Sequence, residues 1–191
     1  MKKIFLFATA LLMSASMFAE GSVFTYTAEE KLPETTDANT EGLHLNAFYA
    51  ADSTQLTVTH TFDEAEGVGT ITLDGEVAII GDRAFYKTGL TSITIPAGVT
   101  EIGENVFNQC SSLESVTLPE GLLTIGEYAF YICSALQSVT IPASVTTIGG
   151  SAFSGCSVLA SVTFLGNACQ EGIANDAFAY VGNPDPALLT L

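Results

Sequence analysis

The chain has 191 residues, of which 48% are hydrophobic, and its 21 acidic and five basic residues give a formal net charge of −16. A chain this acidic repels phosphate backbones and anionic lipid surfaces, which argues against nucleic acids and such membranes as partners. Four cysteines without paired spacing and only two histidines give no pattern of zinc ligands.

The N-terminal residues have the pattern of a secretory signal peptide. Lys2 and Lys3 provide a positive start, residues 4–13 form a short apolar core, and small residues lead to Ala19. The core is too short to span a membrane as a helix, so we predict that residues 1–19 are removed on export. The mature chain would keep three basic and 21 acidic residues, a net charge of 3 − 21 = −18.

Residues 20–69 are predicted to form an N-terminal β cap on the repeats that follow them. Residues 55–62 alternate apolar and threonine side chains, which is typical of a strand with one buried face, and residues 63–67 provide a turn to a returning strand. His60 lies on the apolar side of this alternation, so we expect it to pack rather than to catalyse.

Residues 70–191 contain about four and a half copies of a repeat of about 23 residues, the last one incomplete. Two clear copies are IGENVFNQCSSLESVTLPEGLLT and IGEYAFYICSALQSVTIPASVTT, at residues 102–124 and 125–147. In each copy an apolar run alternates with Ser and Thr, which predicts a strand, and in the first three copies proline ends it. A glycine bend follows, and after it a small residue predicts a short helical turn. The next residue is a Phe, which is predicted to stack in the interior. A fixed period of this size indicates a solenoid.

The run I-G-x-x-A-F-x-x-C-x-x-L-x-S-V-T-I-P resembles the BspA-type leucine-rich repeats of bacterial surface proteins, over roughly residues 71–178. The resemblance implies a right-handed leucine-rich-repeat coil with parallel β-strands, and a role in binding or adhesion outside the cell. It does not imply a ligand. The first copy lacks the cysteine, and Leu165 stands where the fourth should have proline, as expected of degenerate terminal copies.

Three cysteines and three acidic residues recur at fixed positions. Cys110, Cys133 and Cys156 are predicted to pack inside as free thiols, with a disulfide between adjacent copies as the alternative; Cys169 is assigned no role. The acidic column Asp82, Glu104 and Glu127 is predicted to cap free amides after the bend, with a cation such as Ca²⁺ as the alternative. No cofactor or metal is predicted.

The candidate binding surface is the outward face of the repeat sheet, which presents columns of hydroxyl side chains. They are Ser92, Thr94, Ser115, Thr117, Ser138, Thr140, Ser161 and Thr163. Such a face fits an extracellular protein or glycan, although it could also be a simple solvated face; ice binding is a weaker alternative. The repeats contain no histidine, so neither a Ser-His-Asp nor a Cys-His arrangement can form in them, and we predict no enzyme.

Residues 188–191 have the pattern of one more repeat strand, at which the sequence stops. A bare sheet end exposes unpaired backbone groups, which predicts either a longer natural chain or pairing with another chain. The sequence therefore favours a secreted or surface-exposed binding protein, with a structural spacer segment of a larger surface protein as the alternative. It does not determine the oligomeric state.

Overall fold

The computed structural model describes residues 21–35, 42–166 and 172–182 and the backbone of residues 189–190. These residues form fifteen strands and no helix, so none of them belongs to a helix able to cross a membrane. The predicted signal peptide and Cys169 lie outside the described residues. In chain order the strands are β1 Val23–Ala28, β2 Glu34–Thr35, β3 Leu43–His44, β4 Phe48–Tyr49, β5 Val58–Asp63, β6 Val68–Leu73, β7 Ile79–Ile80, β8 Leu90–Thr94, β9 Glu101–Ile102, β10 Ser115–Thr117, β11 Thr124–Ile125, β12 Ser138–Ile141, β13 Thr147–Ile148, β14 Ser161–Phe164 and β15 Leu189–Thr190.

The repeats stack as coils of a β-solenoid of about four turns, which confirms the predicted solenoid and its repeat period. We number the coils by the isoleucine that opens each one: Ile80, Ile102, Ile125 and Ile148. The short strands β7, β9, β11 and β13 form one parallel ladder with these isoleucines in register. Strands β8, β10, β12, β14 and β15 lie on a second side, where β8 pairs with β10 and β14 pairs with β12 and β15, all in parallel.

A third side of each coil is a run of turns, and the predicted short helical turns are not found among the described residues. Two residues per coil have left-handed backbone, such as Arg83 and Lys87 in the first coil. Their amides donate to the carbonyls of Glu104 and Asn108 in the next coil, at 3.0 and 2.9 Å. A helix would instead direct its amides to carbonyls of its own segment, so the stacking of coils selects the turn conformation. The equivalent left-handed residues of later coils are Asn105, Gln109, Tyr128, Ile132, Ser151 and Gly155.

The interior contains the predicted column of stacked aromatic rings. Neighbouring ring centroids are 4.9 to 5.1 Å apart and their planes lie within 16° of parallel. The column consists of Phe85, Phe107, Phe130, Phe153 and Phe178, of which the first four are fully buried. This spacing matches the separation of paired strands. The same distance between coils therefore suits both the hydrogen bonds of the ladders and the stacking of the rings.

A column of buried free thiols runs beside the rings, which confirms the predicted packing of these cysteines. Each thiol donates a hydrogen bond to the carbonyl of the phenylalanine one coil earlier, at 3.0, 3.1 and 3.2 Å for Cys110, Cys133 and Cys156 respectively. In the first coil Thr88 takes the cysteine position, and its hydroxyl lies 3.3 Å from the Cys110 thiol. Burial raises the pKa of Cys110 to about 11, so this thiol stays protonated at neutral pH.

The bend glycines let consecutive coils approach closely. A Cβ atom placed on Gly126 would lie 2.5 Å from the carbonyl oxygen of Gly103 in the preceding coil. Any side chain at this position would therefore push the two backbones apart.

The N-terminal strands lie at the first edge of both ladders. The sheet order is β5-β6-β1-β8-β10, with β1 antiparallel to both β6 and β8, and β4 pairs antiparallel with β7. Residues 71–73 belong to β6, which β1 separates from the repeat strand β8. Phe24 and Phe48 contact Phe85 at the start of the ring column, with centroids 6.3 and 5.9 Å from it.

Candidate functional site

The predicted hydroxyl columns lie on the outward face of the β8–β14 side. Strand alternation places Ile93, Val139 and Val162 inside, between 2 and 7% exposed, and turns the flanking Ser and Thr residues to the opposite face. The columns are in register, since Thr94 lies opposite Thr117 and Thr140 lies opposite Thr163. Of the eight predicted residues, five are exposed and three, Ser92, Ser161 and Thr163, are partly exposed.

The face extends beyond the eight predicted residues, because the N-terminal strands add more threonines to it. The pairing of β1, β6 and β5 places Thr25, Thr70 and Thr61 in line with Thr94. At the seam, the hydroxyl of Thr27 lies 2.7 Å from the hydroxyl of Ser92. The signal that could have revealed these residues is the Thr-x-Thr spacing in each of the three strands. The pairing of these strands with one another and with β8 was not predictable from the sequence.

The face is divided where β10 lies beside β12. No ladder joins these two strands, and the hydrogen-bonded sheet ends at β10 and starts again at β12. Val116 of β10 is partly exposed, whereas its equivalents Ile93 and Val139 are buried. A groove of about 310 Å³ occupies this division. It is lined by Ser115, Val116, Thr117, Leu118, Glu120, Ser138, Thr140, Pro142 and Leu165.

The groove combines hydroxyl groups with an apolar strip. Four of the predicted site residues, Ser115, Thr117, Ser138 and Thr140, line it, and their hydroxyls can both donate and accept hydrogen bonds. Leu165, which replaces the expected proline, is 53% exposed on its wall. Its lining contains neither histidine nor cysteine. These groups can hold a polar ligand that has an apolar face, but they offer no nucleophile with an adjacent base.

The acidic column acts partly as predicted. The carboxylate of Asp82 accepts the backbone amide of Glu104 at 2.8 Å, so it caps an amide of the following coil. Asp176, which is not a member of this column, accepts the hydroxyl of Ser151 at 2.7 Å. Within the described ranges, no group of three or more His, Cys, Asp or Glu residues is placed to hold a metal ion.

His60 is part of a hydrogen-bond chain that leads from a buried tyrosine to exposed charged side chains. Its side chain is 1% exposed; Nδ1 lies 2.9 Å from Glu34 and Nε2 lies 2.7 Å from the hydroxyl of Tyr26. A neutral ring with its proton on Nδ1 satisfies both contacts, and Lys31 also binds Glu34 at 2.7 Å. Burial lowers the pKa of His60, and the neighbouring Glu34 only partly opposes this effect. The predicted packing role fits this arrangement.

A larger cleft of about 590 Å³ was not apparent from the sequence. It forms where residues 29–33 lie over the start of β8 and the corresponding parts of the next two coils. Glu29, Glu30 and Glu114 line it together with Lys31 and Thr91, which makes it acidic. No local pattern could reveal this cleft, because the contact joins segments about 60 residues apart.

Comparison with known proteins gives one family and several similar structures. The family profile described as "BspA type Leucine rich repeat region" matches residues 57–183 in six copies. A search of curated proteins finds no match.

The solved structures that resemble the chain are also repeat proteins. A leucine-rich repeat protein of T. pallidum is 32% identical, with a TM-score of 0.50, and the match covers 53% of this chain and 48% of that one. A leucine-rich repeat protein from Bacteroides capillosus is 29% identical, with a TM-score of 0.47, over 63% of this chain and 96% of that one. A "leucine rich cell surface protein" from Faecalibacterium prausnitzii is 29% identical, with a TM-score of 0.43, over 70% and 46%. The chain thus matches about half the length of the T. pallidum protein.

Proposed function

We propose that this chain, which belongs to the BspA-type leucine-rich repeat family, is an exported, non-catalytic protein that binds an extracellular protein or glycan. The proposed contact surface is the hydroxyl face of the sheet, and the groove between β10 and β12 is the observation that carries the proposal. Four residues chosen from the sequence for their outward position, Ser115, Thr117, Ser138 and Thr140, meet there around an apolar strip. Closely spaced hydroxyls beside an apolar surface suit a sugar ring or an extended peptide, which present the same two kinds of groups.

The flat remainder of the face suits many weak contacts rather than one strong anchor. Its columns hold Ser and Thr, and the aromatic side chains that dominate strong interfaces are absent from the eight predicted positions. Repetition at one coil spacing favours a partner that is itself repetitive, such as a polymer or a clustered receptor. We therefore expect the groove to set specificity and the remaining columns to add affinity.

The proposal of export depends on the N-terminal sequence, in which Lys2 and Lys3, an apolar core and Ala19 follow the order of a signal peptide. We also propose that residues 20–69 act as an N-terminal cap. The antiparallel pairing of β1 with β8 and of β4 with β7 supports this, because it occupies backbone groups that would otherwise form open edges.

The alternative is a structural spacer within a larger surface protein. The regular parallel pairing of β12 with β14 and of β14 with β15 favours it. In that case the hydroxyl face would be solvated and would have no ligand.

The test is a binding screen of the mature chain, from Glu20 onward, against arrays of extracellular matrix proteins and glycans. We expect a saturable interaction that Thr117→Lys and Thr140→Lys weaken without lowering the melting temperature. Thr147→Lys is the matched control, because it places the same new charge at an exposed position of the other ladder. An equal loss of binding in all three variants would contradict the proposed surface. The absence of any saturable interaction would favour the alternative function as a structural spacer.

A further inference from the structure

The turn side of the solenoid presents different side chains on the same backbone in each coil. We describe the turn side by three positions in each coil. They are the two left-handed residues and the residue just before the second of them. In the first coil these positions hold Arg83, Tyr86 and Lys87, and in the third they hold Tyr128, Tyr131 and Ile132. The proposed function assigns no role to this side.

The first coil shows what a tyrosine at the middle position can bind. The guanidinium carbon of Arg83 lies 5.8 Å from the centre of the Tyr86 ring, and the ammonium nitrogen of Lys87 lies 5.2 Å from it. Both distances are within the range at which the electron-rich face of an aromatic ring attracts a cation. In this coil the chain itself supplies the cations, one from each left-handed position.

The third coil repeats the middle tyrosine but replaces both cations. Tyr128 takes the place of Arg83, and its ring meets that of Tyr131 almost at a right angle, 84°, with centroids 5.4 Å apart. Ile132 takes the place of Lys87, and both Tyr128 and Ile132 are 36% exposed. We call the two rings the Tyr128–Tyr131 corner, in which Tyr128 is exposed and Tyr131 is partly exposed. The sequence contains no Lys or Arg after Lys87.

Carboxylates converge beside this corner. A Cβ atom placed on Gly150, which stands where the first three coils have an acidic residue, would lie 3.5 Å from Oδ1 of Asp176 and 3.8 Å from Cγ of Glu127. Glycine thus leaves a space between the two acidic side chains. Tyr128 is close enough for the Glu127 carboxylate to raise the pKa of its phenol, with a smaller contribution from Asp176.

We propose that the Tyr128–Tyr131 corner, together with Glu127 and Asp176, binds the side chain of an arginine on a basic segment of a partner protein. A guanidinium can lie against an aromatic ring while its N–H groups donate to carboxylates, and arginine makes such contacts more often than lysine. The mature chain, with a net charge of −18 from three basic and 21 acidic residues, attracts basic partners over a distance. The corner lies on a different side from the hydroxyl face, so the two interactions can be tested separately.

The test uses the mature chain labelled with ¹⁵N and titrated at physiological salt with a short peptide that contains two arginines. The matched ligand is the same peptide with citrulline, a neutral isostere, in place of each arginine. Tyr131→Leu removes a ring but keeps an apolar side chain. We expect it to lower the affinity for the arginine peptide roughly threefold to fivefold. Tyr131→Phe should bind like the original chain, and so should Tyr86→Leu, whose ring is already covered by Arg83 and Lys87.

The expected result is a set of resonance changes centred on residues 127–132 that appear with the arginine peptide and not with the citrulline peptide. Equal binding of the two peptides would overturn the proposal. So would an equal loss in Tyr86→Leu and Tyr131→Leu, or resonance changes centred on the acidic cleft at Glu29 and Glu30, because each would show general charge attraction rather than recognition at the corner.

Discussion

Removing one ring from the middle of the phenylalanine column should be among the most destabilising single changes in this solenoid. Phe130 is fully buried and stacks on both sides, 5.0 Å from Phe107 and 4.9 Å from Phe153, with interplanar angles of 16° and 6°. Phe130→Ala removes both ring contacts and leaves a cavity that the hydrogen-bonded coils cannot easily close.

The magnitude follows from this packing. Truncating a buried phenylalanine to alanine costs about 3–5 kcal/mol, from lost apolar burial and the cavity left behind. The upper half of that range applies here, because ring stacking adds about 0.5–1.5 kcal/mol per contact and Phe130 makes two. Phe178 is the matched comparison: it is only partly buried and stacks within the column on Phe153 alone, so Phe178→Ala should cost about half as much.

Urea unfolding of the mature chain measures both variants. The chain has no tryptophan, so far-ultraviolet circular dichroism is the suitable signal. The midpoint should fall for both variants, and by more for Phe130→Ala. A loss below about 1.5 kcal/mol for Phe130→Ala, or equal losses for both variants, would refute the reasoning that two-sided stacking makes the inner coils depend on each other.

Three further predictions concern backbone contact, pH and thiol reactivity. Gly126→Ala should lower the free energy of unfolding by about 2 kcal/mol or more, because its Cβ would meet the Gly103 carbonyl oxygen at 2.5 Å; Gly121→Ala, whose nearest atom is 3.4 Å away, should change urea stability much less. Because burial lowers the pKa of His60 below its usual value of about 6.5, the unfolded chain binds more protons, and stability should decline as pH falls from about 7 to 5. His60→Gln should reduce that slope in urea titrations at several pH values, and an unchanged slope would place the titrating group elsewhere. Cys110, with its pKa raised to about 11, should resist a thiol reagent at pH 8 until urea unfolds the chain, and rapid labelling of the native protein at Cys110 would contradict its burial.

The repeat made much of this architecture predictable. Four successive copies place Phe and the bend glycine at nearly the same interval, and the last three of them add Cys, so the stacked rings, the buried thiols and the glycine bend followed from one period. Strand alternation likewise placed Thr117 and Thr140 on the outward face, since alternation is a local property of the backbone.

Features that depend on partners distant in sequence were not predictable in the same way. Arg83 and Lys87 adopt left-handed backbone because their amides bond to the next coil, whereas the local sequence pattern favoured a helical turn. Strand pairing over long distances in the sequence also decides two other features. They are the insertion of β1 between β6 and β8 and the missing ladder between β10 and β12. The groove, the acidic cleft and the Tyr128–Tyr131 corner all depend on such non-local contacts.

The hydrogen bonds on the turn side have a consequence for how this protein can change. They join main-chain amides to main-chain carbonyls, so these bonds between coils do not depend on which side chains occupy the left-handed positions. One of these positions carries Arg83, Asn105, Tyr128 and Ser151 in successive coils: a cation, an amide, an aromatic ring and a hydroxyl on the same scaffold. A substitution there alters surface chemistry while the connection between coils persists, and a duplicated coil brings another set of positions with it. The turn side is therefore suited to acquiring new recognition properties one coil at a time.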